Sequence, residues 1–269
     1  GTTVEVVDPS RSPHRDAYAG AFAASRARKG VTRREAAALV DQPNYFGPMM
    51  VRAGHADAFV SGVTSHYPEV IRPALQVIGP ASGVTRVAGM HLMLVGDRPY
   101  VLTDTTVNVD PTAAELADIA EMAAEEATAL GVEPHVALLS FSNFGSTRHP
   151  RAEKMAAAAA LVRSRRPGLQ VDGEVMADVA LRRELRADYP FTLLQSDANV
   201  LVFPSLEAAN TAYKLLQHLG GATTVGPILL GMASSVHVLA RGADVSDIVN
   251  ITAVAVVDAQ RKAPAAGAG

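Results

Sequence analysis

The chain has 269 residues, 48% of them apolar and 19% charged, enough for a sizeable core in one or two domains and inconsistent with bulk disorder. A balance of 24 Lys and Arg against 27 Asp and Glu gives a net charge of −3, which argues against strongly basic nucleic-acid or anionic-membrane binding and leaves room only for a local basic patch. Cysteine is absent, which removes disulfides, thiolate metal sites and cysteine nucleophiles together and fits a reducing, cytoplasmic compartment.

The opening GTTVEVVDPS shows no basic start before an apolar run, so no signal peptide is read there. Residues 16–28 and 33–40 read as helices split by Lys29-Gly30. Residues 86–94 and 99–104 read as a hairpin that turns at Gly96-Asp97. Asp110 is placed to cap the clearest helix and Pro111 to open it. Leu116, Ile119, Ala120, Ala123, Ala127 and Leu130 then recur at helical spacing until Gly131. A strand over 135–141 leads into the loop SNFGSTRHP (142–150), and an Ala-rich helix runs up to Arg166-Pro167. Strands over 168–175 and 199–204 follow, then a helix from 206 to about 219 that ends at Gly220-Gly221. Near-continuous apolar strands alternating with helices predict an α/β fold with a largely parallel sheet, to which the hairpin adds an antiparallel piece. Residues 215–240 carry no Asp, Glu, Lys or Arg, but their Gly-Pro punctuation and polar groups suit buried core better than a membrane span.

No phosphate-binding GxxxxGK[ST] loop, GxGxxG turn or GxSxG elbow is present. His55, His66, His91, His135, His149, His218 and His237 are scattered without ligand spacing, so no metal site is expected. Three arginine settings stand out. Arg26 leads the basic run Arg28-Lys29 before Gly30, Arg72 precedes Pro73 in IRPALQ, and Arg241 follows the long uncharged stretch. A guanidinium fork presented beside Gly or Pro can clamp a phosphate bidentately, although spacing alone better fits a solvated or ion-paired arginine. Ser140, Ser142 and Asn143 belong to a hydroxyl-rich loop at the carboxyl end of a strand, where open α/β sheets hold ligands. Small polar residues in an ordinary βα turn are the equally simple account.

The segments NYFGPMMV (44–51), ADAFVSGVTSHYPEVIRPALQVIG (56–79), TDTTVNVDPTAAELADIA (103–120), LLSFSNFGS (138–146), DGEVMADVAL (172–181), ANVLVFPSLEAANTAYKLLQHLGG (198–221) and GPILLGMASSVHVLARGADVSDIVN (226–250) cover most of the chain. In that order they resemble the phosphotransacetylase (phosphate acetyltransferase) family, in the form fused as the C-terminal domain of bacterial NADP-dependent malic enzymes. The resemblance implies two α/β subdomains with mostly parallel sheets, as in isocitrate and isopropylmalate dehydrogenases, with coenzyme A in the cleft between them and a homodimer or larger homo-oligomer. It places the first subdomain at 1–80, the second at 81–225, a return to the first at 226–260 and a flexible tail at 261–269. It also implies a start partway into the family domain, past an opening strand–helix–strand. The N-terminal malic domain, a partner within the full chain, would carry the NADP and divalent-metal sites.

For the site, the resemblance implies Arg26, Arg72, Arg241 and Asp247 as ligand-lining positions, with Asp247 at the base that deprotonates the CoA thiol. Asp247 is also placed to neutralise the arginines when no ligand is bound. The departure is Ala240, which stands where active members carry a catalytic serine. Losing one such hydrogen bond costs on the order of a hundredfold in rate, while arginine–phosphate contacts sustain binding. The expectation is therefore an acetyl-CoA-binding regulatory domain, with Arg26, Arg72, Ser140, Ser142, Asn143, Arg241 and Asp247 as its ligand set and no catalytic residue of its own. The alternatives are an active phosphate acetyltransferase and a purely structural dimerisation domain.

Overall fold

The computed structural model describes residues 4–262, which form two units: residues 4–82 with 232–262, and residues 83–231. The first unit opens with α1 (Arg15–Arg26), α2 (Arg33–Val40), α3 (Pro43–Arg52), β1 (Ala58–Ser61) and α4 (Tyr67–Val77). Helix α1 stops two residues before the expected end. One turn of 3₁₀ helix follows, and Gly30 at φ 83° turns the chain. Helix α2 starts where expected because Thr32 and Glu35 form a capping box: Glu35 N–H donates to Thr32 Oγ1 at 3.2 Å, and Thr32 N–H to Glu35 Oε2 at 2.8 Å. Tyr18, Phe22, Val40, Phe46, Met49 and Val77 join one buried cluster under these helices.

The second unit holds β2 (Ala88–Val95), β3 (Arg98–Thr103), α5 (Ala113–Ala129), β4 (His135–Leu139), α6 (Pro150–Arg165), β5 (Gln170–Val175), α7 (Ala177–Leu181), α8 (Arg183–Arg186), β6 (Val200–Val202), α9 (Leu206–His218) and β7 (Thr223–Leu230). Its strands lie in the order β7-β2-β3-β6-β4-β5. The β7-β2 and β2-β3 pairs are antiparallel, the other three parallel. The hairpin turns at Gly96-Asp97, with Val95 opposite Arg98. Ala137 and Leu139 on β4 pack in one buried cluster with Val179 and Ala180 of α7. Val136 and Leu138, equally buried, point to the other side of the strand, where α5 and α6 pack.

The cap of α5 differs from expectation. Thr112, not Asp110, is its N-cap, because Thr112 and Glu115 form a second capping box. Asp110 instead accepts from Lys154 Nζ at 2.7 Å.

The chain returns to the first unit with β8 (Ser235–Val238), parallel to β1, and α10 (Val245–Lys262). The return falls at Met232, not at 226, because Gly226-Pro227 lies inside β7. The β2–β7 register shifts between Met90 and Leu92, which accommodates the proline's missing N–H. Gly226 makes room there, since a Cβ would stand 2.6 Å from the His91 ring. Pro80 bridges Met232, and Ala233 N–H donates to Gly79 O at 3.0 Å, so the outgoing and returning strands of the first unit are clasped together. Of the uncharged stretch, β8 and the second half of β7 are buried, but Leu215 and Leu219 at the end of α9 are exposed. Of the expected tail, Arg261 and Lys262 continue α10, and 263–269 lie outside the described residues. Among the described residues no helix is long and apolar enough to cross a membrane.

Candidate functional site

Parallel pairing puts the carboxyl ends of β1 and β8 side by side. The loops that leave them are stitched by Leu239 N–H to Ser61 O at 2.8 Å and Gly242 N–H to Val63 O at 3.3 Å. Gly62, at φ 140°, permits this approach, because a Cβ would stand 2.1 Å from Leu239 O. Helices α4 and α10 begin just beyond, so two helix N-termini, with their free N–H groups and partial positive charge, flank these loops. Ala240 is exposed at this point, immediately before Arg241.

Arg241 Nη1 donates to His66 Nε2 at 3.2 Å. Arginine has no acceptor, so His66 Nε2 is the acceptor in this contact. Asp247 does not pair with Arg241 as expected. Its Oδ2 accepts Asp244 N–H at 3.1 Å, while Asp244 Oδ1 accepts Asp247 N–H at 2.9 Å. This reciprocal pair caps the start of α10, and local capping outcompetes a distant ion pair. The Ser246 hydroxyl and the Asp247 N–H hold the Asp244 carboxyl below its usual range.

Arg72 is exposed on α4, one turn before Gln76. Pro73 has no N–H, so the Glu69 carbonyl loses its helical partner. Asn44 Nδ2 supplies one at 3.3 Å, and Asn44 Oδ1 accepts from Ser61 Oγ at 2.8 Å. Asn44 thus ties α3 to both α4 and the end of β1. Its neighbour Tyr45 is buried and donates to Gln76 Oε1 at 3.0 Å. Burial raises the Tyr45 hydroxyl above its ordinary value, and the charges of Arg72 and Arg26 both pull against that rise. Arg26 Nε is buried and has no hydrogen-bond partner.

Ser140, Ser142 and Asn143 belong to the second unit. Ser140 N–H continues the ladder to Val175 O at 2.9 Å. Ser142 is fully buried: its hydroxyl donates to Glu174 Oε1 at 3.0 Å and accepts Thr147 N–H at 3.0 Å. Asn143 Oδ1 accepts Met176 N–H at 2.7 Å, and its Nδ2 donates to Tyr189 Oη at 3.3 Å. Ser142 and Asn143, expected as ligand contacts, are engaged in holding their own loop, in which Ser142 and Gly145 N–H supply donors to the buried Glu174. Asp104 does the same for the loop after β3, accepting N–H groups from Gly89, Thr106, Val107 and Asn108. Asn44, Tyr45, His66, Asp104 and Glu174 were not singled out as site residues from the sequence. Only the Asn-Tyr pair after Pro43 hinted at a role, as polar groups opening an otherwise apolar helix.

Two parallel strand ends flanked by helix N-termini, with Arg241 on the loop that leaves one of them, belong to an α/β protein. The chain belongs to the phosphate acetyl/butaryl transferase family, whose pattern matches residues 1–256. It is 40% identical to the phosphate acetyltransferase of Clostridium acetobutylicum over 265 residues, covering 96% of this chain and 80% of that protein. It is also 41% identical over 263 residues to the NADP-dependent malic enzyme of Escherichia coli, covering 97% of this chain and 35% of that protein. The solved EutD phosphotransacetylase from Staphylococcus aureus superposes with a TM-score of 0.88 at 36% identity, covering 96% of this chain and 79% of that one.

Proposed function

We propose that this chain is an acetyl-CoA-binding regulatory domain without transferase activity of its own, working with a malic domain in a longer NADP-dependent malic enzyme. The observation that carries the reading is Ala240, an exposed methyl at the strand end beside Arg241 where the family resemblance places a catalytic hydroxyl. Thiol attack on an acyl phosphate needs a base, a positioning hydrogen bond and charge stabilisation. The positioning group is missing, while the cationic groups for binding an anion remain. Arg26 Nε is a buried donor without an acceptor, and Arg72 and Arg241 are exposed. Such a group set supports phosphate binding more than turnover. Regulation follows if acetyl-CoA prefers one of two arrangements of the longer protein.

A second reading, a working phosphate acetyltransferase, is favoured by the names of the most similar relatives. A thiol-ester assay with acetyl phosphate and CoA, run beside calorimetric titration of acetyl-CoA, separates the two. Saturable binding with turnover reduced at least a hundredfold against an active relative supports the regulatory reading; robust turnover supports the second. Absence of binding leaves the purely structural role. We propose further that copies of the chain pair, supported by Val245, Val249 and Val256, which leave an apolar face of α10 exposed. A monomer mass in light scattering at micromolar concentration overturns that.

A further inference from the structure

We infer a second, separate anion site in residues 83–231, at the opposite ends of the strands from the loops of Ser142 and Asp104. The amino ends of β3, β4 and β6 open into a recess of about 410 Å³ lined by Arg98, Tyr100, His135, Arg183, Arg186 and Asp197 among others. Asn199 ties these ends together: its Oδ1 accepts His135 N–H at 2.8 Å, and its carbonyl accepts Val101 N–H at 2.7 Å.

The charges in the recess do not balance. Three guanidinium groups face a single carboxylate. Asp197 is claimed from both sides, with Oδ1 accepting from Arg186 Nη2 and Oδ2 from Arg98 Nη2, each at 3.1 Å. Burial works to raise the Asp197 carboxyl, but hydrogen bonds from Arg98 and Arg186 hold it below its usual range, so it stays ionised. Arg186 is 4% exposed and anchored by Nη1 on Ala180 O at 3.0 Å, which fixes the fork. Arg183 is exposed and pairs with no acid among the described residues. The recess therefore keeps an excess of two positive charges around a rigid base, and like charges gathered this way favour an anion of matching charge.

The volume decides between anions. About 410 Å³ lies within the range of small-molecule pockets and exceeds the needs of a lone inorganic ion. Arg98 lies 5.8 Å over the Tyr100 ring, so an aromatic wall stands beside the cations. A phosphate monoester of a small polyol or sugar meets both demands, with a dianionic head for Arg183 and Arg98 and a body to fill the remainder.

The test is calorimetric titration of ribose 5-phosphate into the whole chain and into Arg183→Ala, Arg98→Ala and the double variant Arg72→Ala/Arg241→Ala, with inorganic phosphate and succinate as companion probes. Both Arg98 and Arg183 are exposed, so their removal leaves the core intact. Saturable binding is expected in the wild-type chain and unchanged in the double variant, but weakened about tenfold or more in Arg183→Ala and Arg98→Ala. Absence of saturable binding, or binding lost in the double variant and kept in Arg183→Ala, overturns the site. Succinate or inorganic phosphate binding as tightly as the sugar phosphate overturns the assignment to a monoester.

Discussion

At the carboxyl ends of their strands the two units treat charge in opposite ways. In residues 83–231 the loop carboxylates Asp104 and Glu174 are buried and consumed by backbone N–H groups and hydroxyls. In the other unit Arg72 and Arg241 are exposed, and Arg26 Nε is buried without an acceptor. A charge whose bonds are filled from within is scaffold. A charge left with bonding capacity is where a ligand can gain free energy.

The sharpest way to break this contrast is Asp104→Ala. It strands two buried and two half-buried N–H donors at once, and a loss of about 3 kcal/mol or more in denaturant-measured stability is expected. A loss below about 1 kcal/mol would show that water replaces the carboxylate and that the loop is not built on it. Next come Arg72→Ala and Arg241→Ala, each expected to weaken acetyl-CoA binding by about 1.5–3 kcal/mol in calorimetry, the range for a hydrogen bond to a charged group. Wild-type affinity in both variants would move the effector elsewhere on the molecule.

A further effect, about 2 kcal/mol between pH 7 and pH 5, depends on pH. His91 is buried against Tyr213, with ring centroids 4.1 Å apart, and accepts or donates to Thr105 Oγ1 at 2.8 Å. Burial, helped by the charge of Lys214, pushes its imidazole down to about 3 from 6.5. The unfolded chain thus binds a proton that the folded chain refuses. Stability is full above about pH 6.5 and falls by about 1.4 kcal/mol for each pH unit below it until the folded value is reached. Stability curves at pH 7, 6 and 5 for wild type and His91→Gln should show that component of the slope only in wild type. The smallest effect is on stability in Arg241→Ala. A change within about 0.5 kcal/mol is expected for an exposed side chain whose hydrogen bond is to the His66 ring.

Much of the second unit was legible because its signals are local. Gly96-Asp97 sets a two-residue hairpin, and apolar runs such as HVALL carry their strand identity in composition. The first unit shows α1 and α2 in its sequence but hides the elements beyond them. Pro48 and Pro73 sit inside α3 and α4, where proline ordinarily reads as a break, and the carbonyl freed by Pro73 is rescued by Asn44, distant in sequence. Strands β1 and β8 are four residues each, too short for period-two patterning to stand out. At the site, the arginines could be named from their settings beside Gly and Pro. The roles of Asp247 and Ser142 could not, because their partners, backbone N–H groups and for Ser142 also the Glu174 carboxylate, take up positions that only the folded loops create.

The clasp of Pro80 and Gly79 with Met232 and Ala233 bears on the order in which the chain is made. Strand β1 leaves the ribosome long before β8, and the whole of residues 83–231 is synthesised between them. The second unit has all its strands in hand while the first still lacks half of its strand pair and the cap that buries it. Ile251, Val254 and Ala255 of α10 then arrive last, closing the apolar side of the first unit after its neighbour is complete. A released chain truncated at Gly231 should therefore resist protease across residues 83–231 and be cut within the first eighty.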